Sequence, residues 1–233
     1  MCRLLTASCV CVAFSTVAAN ALVIDHFDAE QFLMVNMNSP EAFGEVTGPS
    51  DRLLGGARDV RITRQEGNTS FVEIVGGASS LNNGSGGVTQ VEMRYDGAGS
   101  EGLGGVDLTD DGASDRFLIS VLEADANAVR YTVRLRDGAG QTAEVFSDFP
   151  APVLPEDPEI EEIVFASFLS NNPSLDLGNI DEVSLFFEAT AAADLRLDFI
   201  ATNSSTSVPL PASLVLLLAG LAGLGTLRQF RRG

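Results

Sequence analysis

The chain has 233 residues, 45% of them hydrophobic, with a formal net charge of −18; this length allows one domain of ordinary size or two small ones, with enough apolar content for a packed core. All fourteen basic residues are arginine, and four of them (Arg3, Arg228, Arg231, Arg232) lie near the ends, so the middle carries ten arginines against 32 acidic residues, a net of −22. Such a body repels polyanions, which excludes nucleic-acid binding, and it suits a salty or calcium-containing exterior where screening relieves self-repulsion. The three cysteines (Cys2, Cys9, Cys11) all precede residue 12, leaving the body without disulfides, thiolate metal sites or a cysteine nucleophile.

Taken in chain order, residues 1–21 have the three parts of a secretory signal. Arg3 marks the n-region, residues 4–17 are apolar, and Ala19 and Ala21 supply small side chains at −3 and −1. Cleavage after Ala21 by the general secretion machinery is expected. Beyond it the dominant period is two. Val60 and Ile62 alternate with Asp59, Arg61 and Thr63; Val91, Met93 and Tyr95 with Glu92 and Arg94; Val129, Tyr131, Val133 and Leu135 with four polar residues; Leu195, Leu197 and Phe199 with Arg196 and Asp198. Half-buried antiparallel strands read in this way. Strands are expected at 22–27, 31–37, 52–64, 70–75, 88–95, 116–123, 128–136, 141–148, 160–168, 182–188 and 194–201, with glycine-rich turns at 76–77, 82–87 and 96–105.

The densest group of oxygen ligands lies between these strands: Asp107, Asp110, Asp111 and Asp115, around Gly112. A glycine-containing Asp loop can wrap a hard cation, though the spacing here is not that of an EF-hand and a solvated acidic turn is the simpler reading. Asp25 and Asp198, on the first and last strands, form a second candidate calcium pair. The sharpest local expectation is the hairpin after Asp137. Pairing Leu135 with Ala143 and Val133 with Val145 keeps apolar residues on one face, which requires a three-residue loop, 138–140, with Gly140 left-handed. That register sets Arg134 opposite Glu144.

Residues 203–207 form a Ser/Thr linker, followed by Val208-Pro209-Leu210-Pro211-Ala212, a charge-free stretch to Leu227, and Arg228, Arg231 and Arg232. The prolines forbid a helix before Pro211, which itself suits a helix start. The 17 residues from Pro211 to Leu227 would span about 25 Å as a helix, short of a ~30 Å hydrocarbon core. That is the length of a temporary membrane anchor with its arginines on the cytoplasmic side.

This tripartite end, residues 208–233, resembles the PEP-CTERM sorting signals in their VPLPA variant. The resemblance implies a Gram-negative producer of extracellular polysaccharide, an exosortase-type processing enzyme as partner, and cleavage near the motif during export. A plain single-span anchor and a eukaryotic lipid-anchor signal are the competing readings; the latter normally ends without a basic cap. The body, residues 22–202, is similar over most of residues 22–201 to the jelly-roll domains that often precede such tails, on the runs Ile24-Asp25-His26-Phe27, Leu54-Gly55-Gly56-Ala57-Arg58-Asp59, Val106-Asp107-Leu108-Thr109 and Leu197-Asp198-Phe199-Ile200. The expected fold is therefore all-β, an antiparallel jelly-roll-like sandwich, with a signal helix before it and one transmembrane helix after it.

Catalytic chemistry has little to stand on. The single histidine, His26, sits among alternating strand residues with no Gly-x-Ser-x-Gly elbow in the chain. Paired carboxylates suffice for glycoside hydrolysis, but 32 acidic residues single out no pair. There is no tryptophan, and the two tyrosines, Tyr95 and Tyr131, fall on inward faces. The expectation is a non-enzymatic cell-surface or matrix protein, processed at its tail. The alternative is a module that binds the producer's exopolysaccharide, with calcium as an optional ligand; a secreted hydrolase ranks third.

Overall fold

A computed structural model describes residues 21–125, 129–149, 152–190 and 192–203. The signal segment up to residue 20, including Ala19, lies outside the described residues, as do residues 204–207, the motif from Val208 to Ala212, the apolar stretch after it, and Arg228, Arg231 and Arg232. Ala21 is described and lies before the first strand. Among the described residues no helix is long and apolar enough to cross a membrane.

Among the described residues, thirteen strands form two antiparallel sheets. They are β1 (Val23–Asp25), β2 (Gln31–Val35), β3 (Glu41–Thr47), β4 (Ala57–Glu66), β5 (Ser70–Val75), β6 (Ala78–Asn83), β7 (Val88–Tyr95), β8 (Arg116–Ala124), β9 (Val129–Asp137), β10 (Thr142–Asp148), β11 (Glu159–Val164), β12 (Ile180–Ala189) and β13 (Leu195–Asn203), with one helix, α1 (Phe165–Asn171). Sheet I has the order β11-β8-β13-β6-β5-β2, with β1 also paired to β13; sheet II has the order β10-β9-β12-β7-β4-β3. From β7 onward every connection crosses between the sheets except the β9–β10 hairpin.

Alternation explains the packing. Val60, Ile62, Val91, Met93, Val133, Leu135, Val183, Leu185 and Phe187 of sheet II join Ile24, Val72, Ile74, Ile119, Val121, Leu195, Leu197 and Ile200 of sheet I in one buried cluster. Removing such side chains from water is worth about 1.5–3 kcal/mol each, and only one register per strand buries the whole set. The β9–β10 hairpin forms as its sequence requires, with Ala143 opposite Leu135 and Val145 opposite Val133. Gly140 has φ of 81°, and Arg134 Nε donates to Glu144 at 2.6 Å. Asp137 organises the loop: its Oδ1 accepts the amides of Ala139 and Gln141 at 2.9 and 2.8 Å, and its Oδ2 that of Asp176 at 3.0 Å.

Among the polar ties that cross the sandwich, two each consume one tyrosine. Tyr95 Oη donates to Asp25 Oδ2 at 2.9 Å, and Arg58 Nη1 reaches the same oxygen at 2.6 Å, with all three residues buried. The rest of the Arg58 guanidinium is satisfied by Gln31 Oε1 and the Ala29 carbonyl. Burial pushes the Asp25 carboxyl up against the pull of Arg58, and pushes Tyr95 up as well. Tyr131 donates to Glu161 at 3.1 Å across to β11, and burial, with that carboxylate, pushes its phenol up to about 12.

Several sequence expectations need correction. The strand expected from residue 52 begins only at Ala57, because Gly55 and Gly56 take φ of 67° and 73° and turn the chain. The strand expected to 168 stops at Val164, where α1 turns Phe165 and Phe168 into the core. β3 and β6 are absent from the expected strands. β3 places only the small or half-buried Ala42, Gly44 and Val46 inward. β6 reads as a polar run, yet it pairs with both β5 and β13 and buries Ser79 and Asn83.

Candidate functional site

The outer face of sheet II presents side chains in rows that run across the strands. One row is set by register alone: Phe43 pairs with Arg61, Arg61 with Glu92, Glu92 with Phe186, Phe186 with Thr132, and Thr132 with Phe146. Neighbouring strands lie ~4.8 Å apart, so Phe186 stands about 14 Å from the Phe43 strand and about 10 Å from the Phe146 strand. Phe43 and Phe146 are 55% and 70% exposed. Flanking rows are wholly polar. On one side lie Glu45, Asp59, Arg94, Ser184, Arg134 and Glu144; on the other lie Glu41, Thr63, Gln90, Glu188, Arg130 and Asp148.

This face holds an open groove. Its larger part, about 370 Å³, is lined by Arg61, Thr63, Gln90, Glu92, Thr132, Arg134, Glu144, Phe186 and Glu188. A second part of about 250 Å³ shares Arg61 and Glu92 and adds Phe43, Asp59 and Arg94. The Arg134 guanidinium carbon lies 4.7 Å from the Phe186 ring centroid, and that of Arg61 lies 6.0 Å from Phe43.

Every arginine on the face is engaged by a carboxylate. Arg61 meets Glu41 at 3.4 Å, Arg94 meets Asp59 at 2.6 Å and Asp96 at 3.2 Å, and Arg130 meets Asp148 at 3.2 Å. Arg134 meets Glu144 at 2.6 Å, and Arg136 meets Asp181 and Glu182 at 3.1 Å each. Gln90 Nε2 donates to Glu188 at 2.8 Å. The arrangement fixes a lattice of donors and acceptors around aromatic patches. It suits a ligand that offers both many hydroxyls and apolar C–H faces.

The sequence candidates fall elsewhere. Asp107 accepts the Thr109 amide and hydroxyl at 2.8 and 2.6 Å and the Asp111 amide at 2.9 Å. These bonds, that from the Thr109 hydroxyl first, hold its carboxyl below the usual carboxylate range. Asp110 and Asp111 both take positive φ in this turn, and Asp115 pairs with Arg116. Asp25 and Asp198 do lie on paired strands, β1 and β13, but Asp25 already serves Arg58, Tyr95 and the Phe27 amide. A cation there would share its carboxylate with a guanidinium. Among the described residues no group of three or more His, Cys, Asp or Glu side chains is placed to hold a metal ion. His26 is half-buried, and its amide donates to the Arg52 carbonyl.

Tyr95 and Tyr131 are buried, as their strand positions required. What sequence reading missed was the phenylalanines. Phe43 stands between Glu41 and Glu45, Phe146 between Glu144 and Asp148, and Phe186 between Ser184 and Glu188, each on the outward phase of an alternating strand. An aromatic on the polar phase was the available signal.

No protein-family model and no curated protein sequence matches the chain. Among solved structures, it is similar to the family 11 carbohydrate-binding module of a Clostridium thermocellum cellulosomal cellulase, at 14% identity over 81% of this chain and 97% of that one, with a TM-score of 0.40. A family 30 carbohydrate-binding module from the same organism is 11% identical over 81% and 99% of the two chains, with a TM-score of 0.43. An agarase is 10% identical over 61% of this chain and 22% of its own, with a TM-score of 0.41.

Proposed function

We propose that this chain is a carbohydrate-binding module and that the outer face of sheet II is its ligand face. The observation that carries the reading is the single cross-strand row of Phe43, Arg61, Glu92, Phe186, Thr132 and Phe146, with polar rows on both sides. An extended glycan laid across the strands would place sugar C–H faces on the phenylalanines and its hydroxyls against the fixed arginines and carboxylates. The charge of the face favours an uncharged polymer. Its arginines are neutralised in pairs, and the body around them has a net charge of −22 from ten arginines and 32 acidic residues, so a polyuronate would be repelled.

Affinity electrophoresis in gels containing neutral glucans, galactans or xylan, beside alginate, tests this. Retardation by a neutral polymer, weakened in Phe186→Ala, is the expected result. Free migration in every gel would overturn the reading.

The tail supports a second element of the proposal. Val208-Pro209-Leu210-Pro211-Ala212, the charge-free stretch and the terminal arginines favour delivery to the cell exterior, with an exosortase-type enzyme acting near the motif. The mature mass of the exported protein decides it: a chain still ending in Arg232-Gly233 would refute processing.

A further inference from the structure

The opposite side of the sandwich carries a groove of its own. On the outer face of sheet I, about 240 Å³ is lined by residues that include Phe71, Glu73, Ser80, Asn82, Glu123 and Arg196. Register again builds rows across the strands. Phe32, Glu73, Ser80, Arg196 and Glu123 form one, and Met34, Phe71 and Asn82 form the next.

Two features separate this face from an ordinary solvated surface. Phe32 and Phe71 hold their rings 5.9 Å apart at 35°, although Phe32 is 58% exposed and the neighbouring Met34 47% exposed. An aromatic pair left in water keeps apolar area that a ligand would bury. Arg196 is exposed, and among the described residues no carboxylate lies within ion-pair distance of it, whereas all five arginines of the sheet II face are paired.

We infer that this is a second glycan-binding face, so that one module holds two polysaccharide segments on opposite sides and bridges them. The inference rests on the reading of sheet II as a glycan-binding face. The occupant is a further segment of the same uncharged polymer. A second copy of this chain is disfavoured by charge: Glu73, Glu123 and Asp194 surround the single Arg196 in the groove, and two strongly acidic bodies repel one another. A neutral chain meets no such barrier. It would place C–H faces on Phe32 and Phe71 and hydroxyls against Arg196, Ser80 and Asn82. Because the two sheets are stacked with ~10 Å between them and their outer faces point apart, one straight segment cannot touch both.

The test uses the purified full chain with dilute soluble mixed-linkage β-glucan, agarose, xylan and alginate, following retardation in native gels and the viscosity of the polymer solutions. The wild-type protein is expected to be retarded by a neutral polymer and to raise its viscosity. The double variant Phe32→Ala/Arg196→Ala changes exposed side chains only; it is expected to remain retarded but to lose the viscosity gain. Phe186→Ala should lose the gain too, through the other face.

A double variant with the full viscosity gain would overturn the second face, as would a retarded wild-type protein that leaves viscosity unchanged. Wild-type dimers that become monomers in the double variant would overturn it in favour of self-association. A wild-type protein retarded by no polymer would sink the underlying reading as well. Retardation unchanged in Phe186→Ala would sink the sheet II assignment and, with it, the bridge between two faces.

Discussion

The Arg134 guanidinium lies 4.7 Å over the Phe186 ring while its Nε donates to Glu144 at 2.6 Å. One side chain thereby joins three strands, β9, β12 and β10, at the floor of the sheet II groove. The ring is held by a cation that is itself held by a carboxylate, so little freedom remains to be lost on binding. Phe186→Ala is expected to weaken binding of a neutral glycan about tenfold, equivalent to about 1.4 kcal/mol, with the fold retained. Isothermal titration against soluble oligosaccharides measures it; an unchanged Kd would remove Phe186 from the site.

Since each arginine of that face is already paired, glycan affinity should depend weakly on salt. Between about 0.1 and 1 M salt the screening length falls from ~10 to ~3 Å, and Kd should move by no more than about twofold. A steep loss of affinity would mean that unpaired charge carries the binding.

The buried Asp25–Arg58 pair, at 2.6 Å, joins the first strand of sheet I to sheet II. Arg58→Met leaves Asp25 buried without its cation and should cost about 3–5 kcal/mol of stability. Adding Asp25→Asn to that variant removes the stranded charge and should recover part of the loss. Urea unfolding of both variants checks this; a double variant no more stable than the single would show that Asp25 is not charged when buried.

Asp137 predicts a pH dependence of definite sign. The amides of Asp176, Gln141 and Ala139 hold its carboxyl below the usual range. It therefore contributes stability above the unfolded carboxylate value near pH 4, and that contribution is lost as pH falls from there through the folded value. Asp137→Asn should be less stable than wild type by about 1–3 kcal/mol at neutral pH. The difference should shrink below about pH 4, as followed by thermal unfolding across pH. A gap that widened in acid would contradict the assignment.

Gly140 takes φ of 81°, and no atom lies within 4 Å of the point where a Cβ would stand, so a substitution there meets backbone strain without a clash. Gly140→Ala should cost about 1–2 kcal/mol in chemical denaturation while leaving the proposed glycan-binding face intact. A neutral result would show that the loop readily adopts another turn.

Much of this architecture could be read before any coordinate. The two-residue period placed most strands, assigned Val133 and Leu135 inward and Arg134 outward, and specified the β9–β10 loop, because local sterics and burial act within a few residues. β6 was hidden because its burial depends on partners outside the strand: Leu81 pairs with Leu195 of β13, and Asn83 shares hydrogen bonds with Ser70, Thr89 and Gly87 and with Thr190, 107 positions on. The helix α1 was hidden too, since its short apolar run reads equally well as a strand end.

Strand character, the charge of the body and the tail motif belong to the chain as written, since each follows from residues adjacent in sequence. The proposed ligand faces do not. Phe43, Phe146 and Phe186 are separated by up to 143 positions and become one row only through the lateral order β10-β9-β12-β7-β4-β3 and its registers. That order is settled by which sheet-wide pairing buries the whole apolar set at once, a collective free energy that no local window of sequence contains.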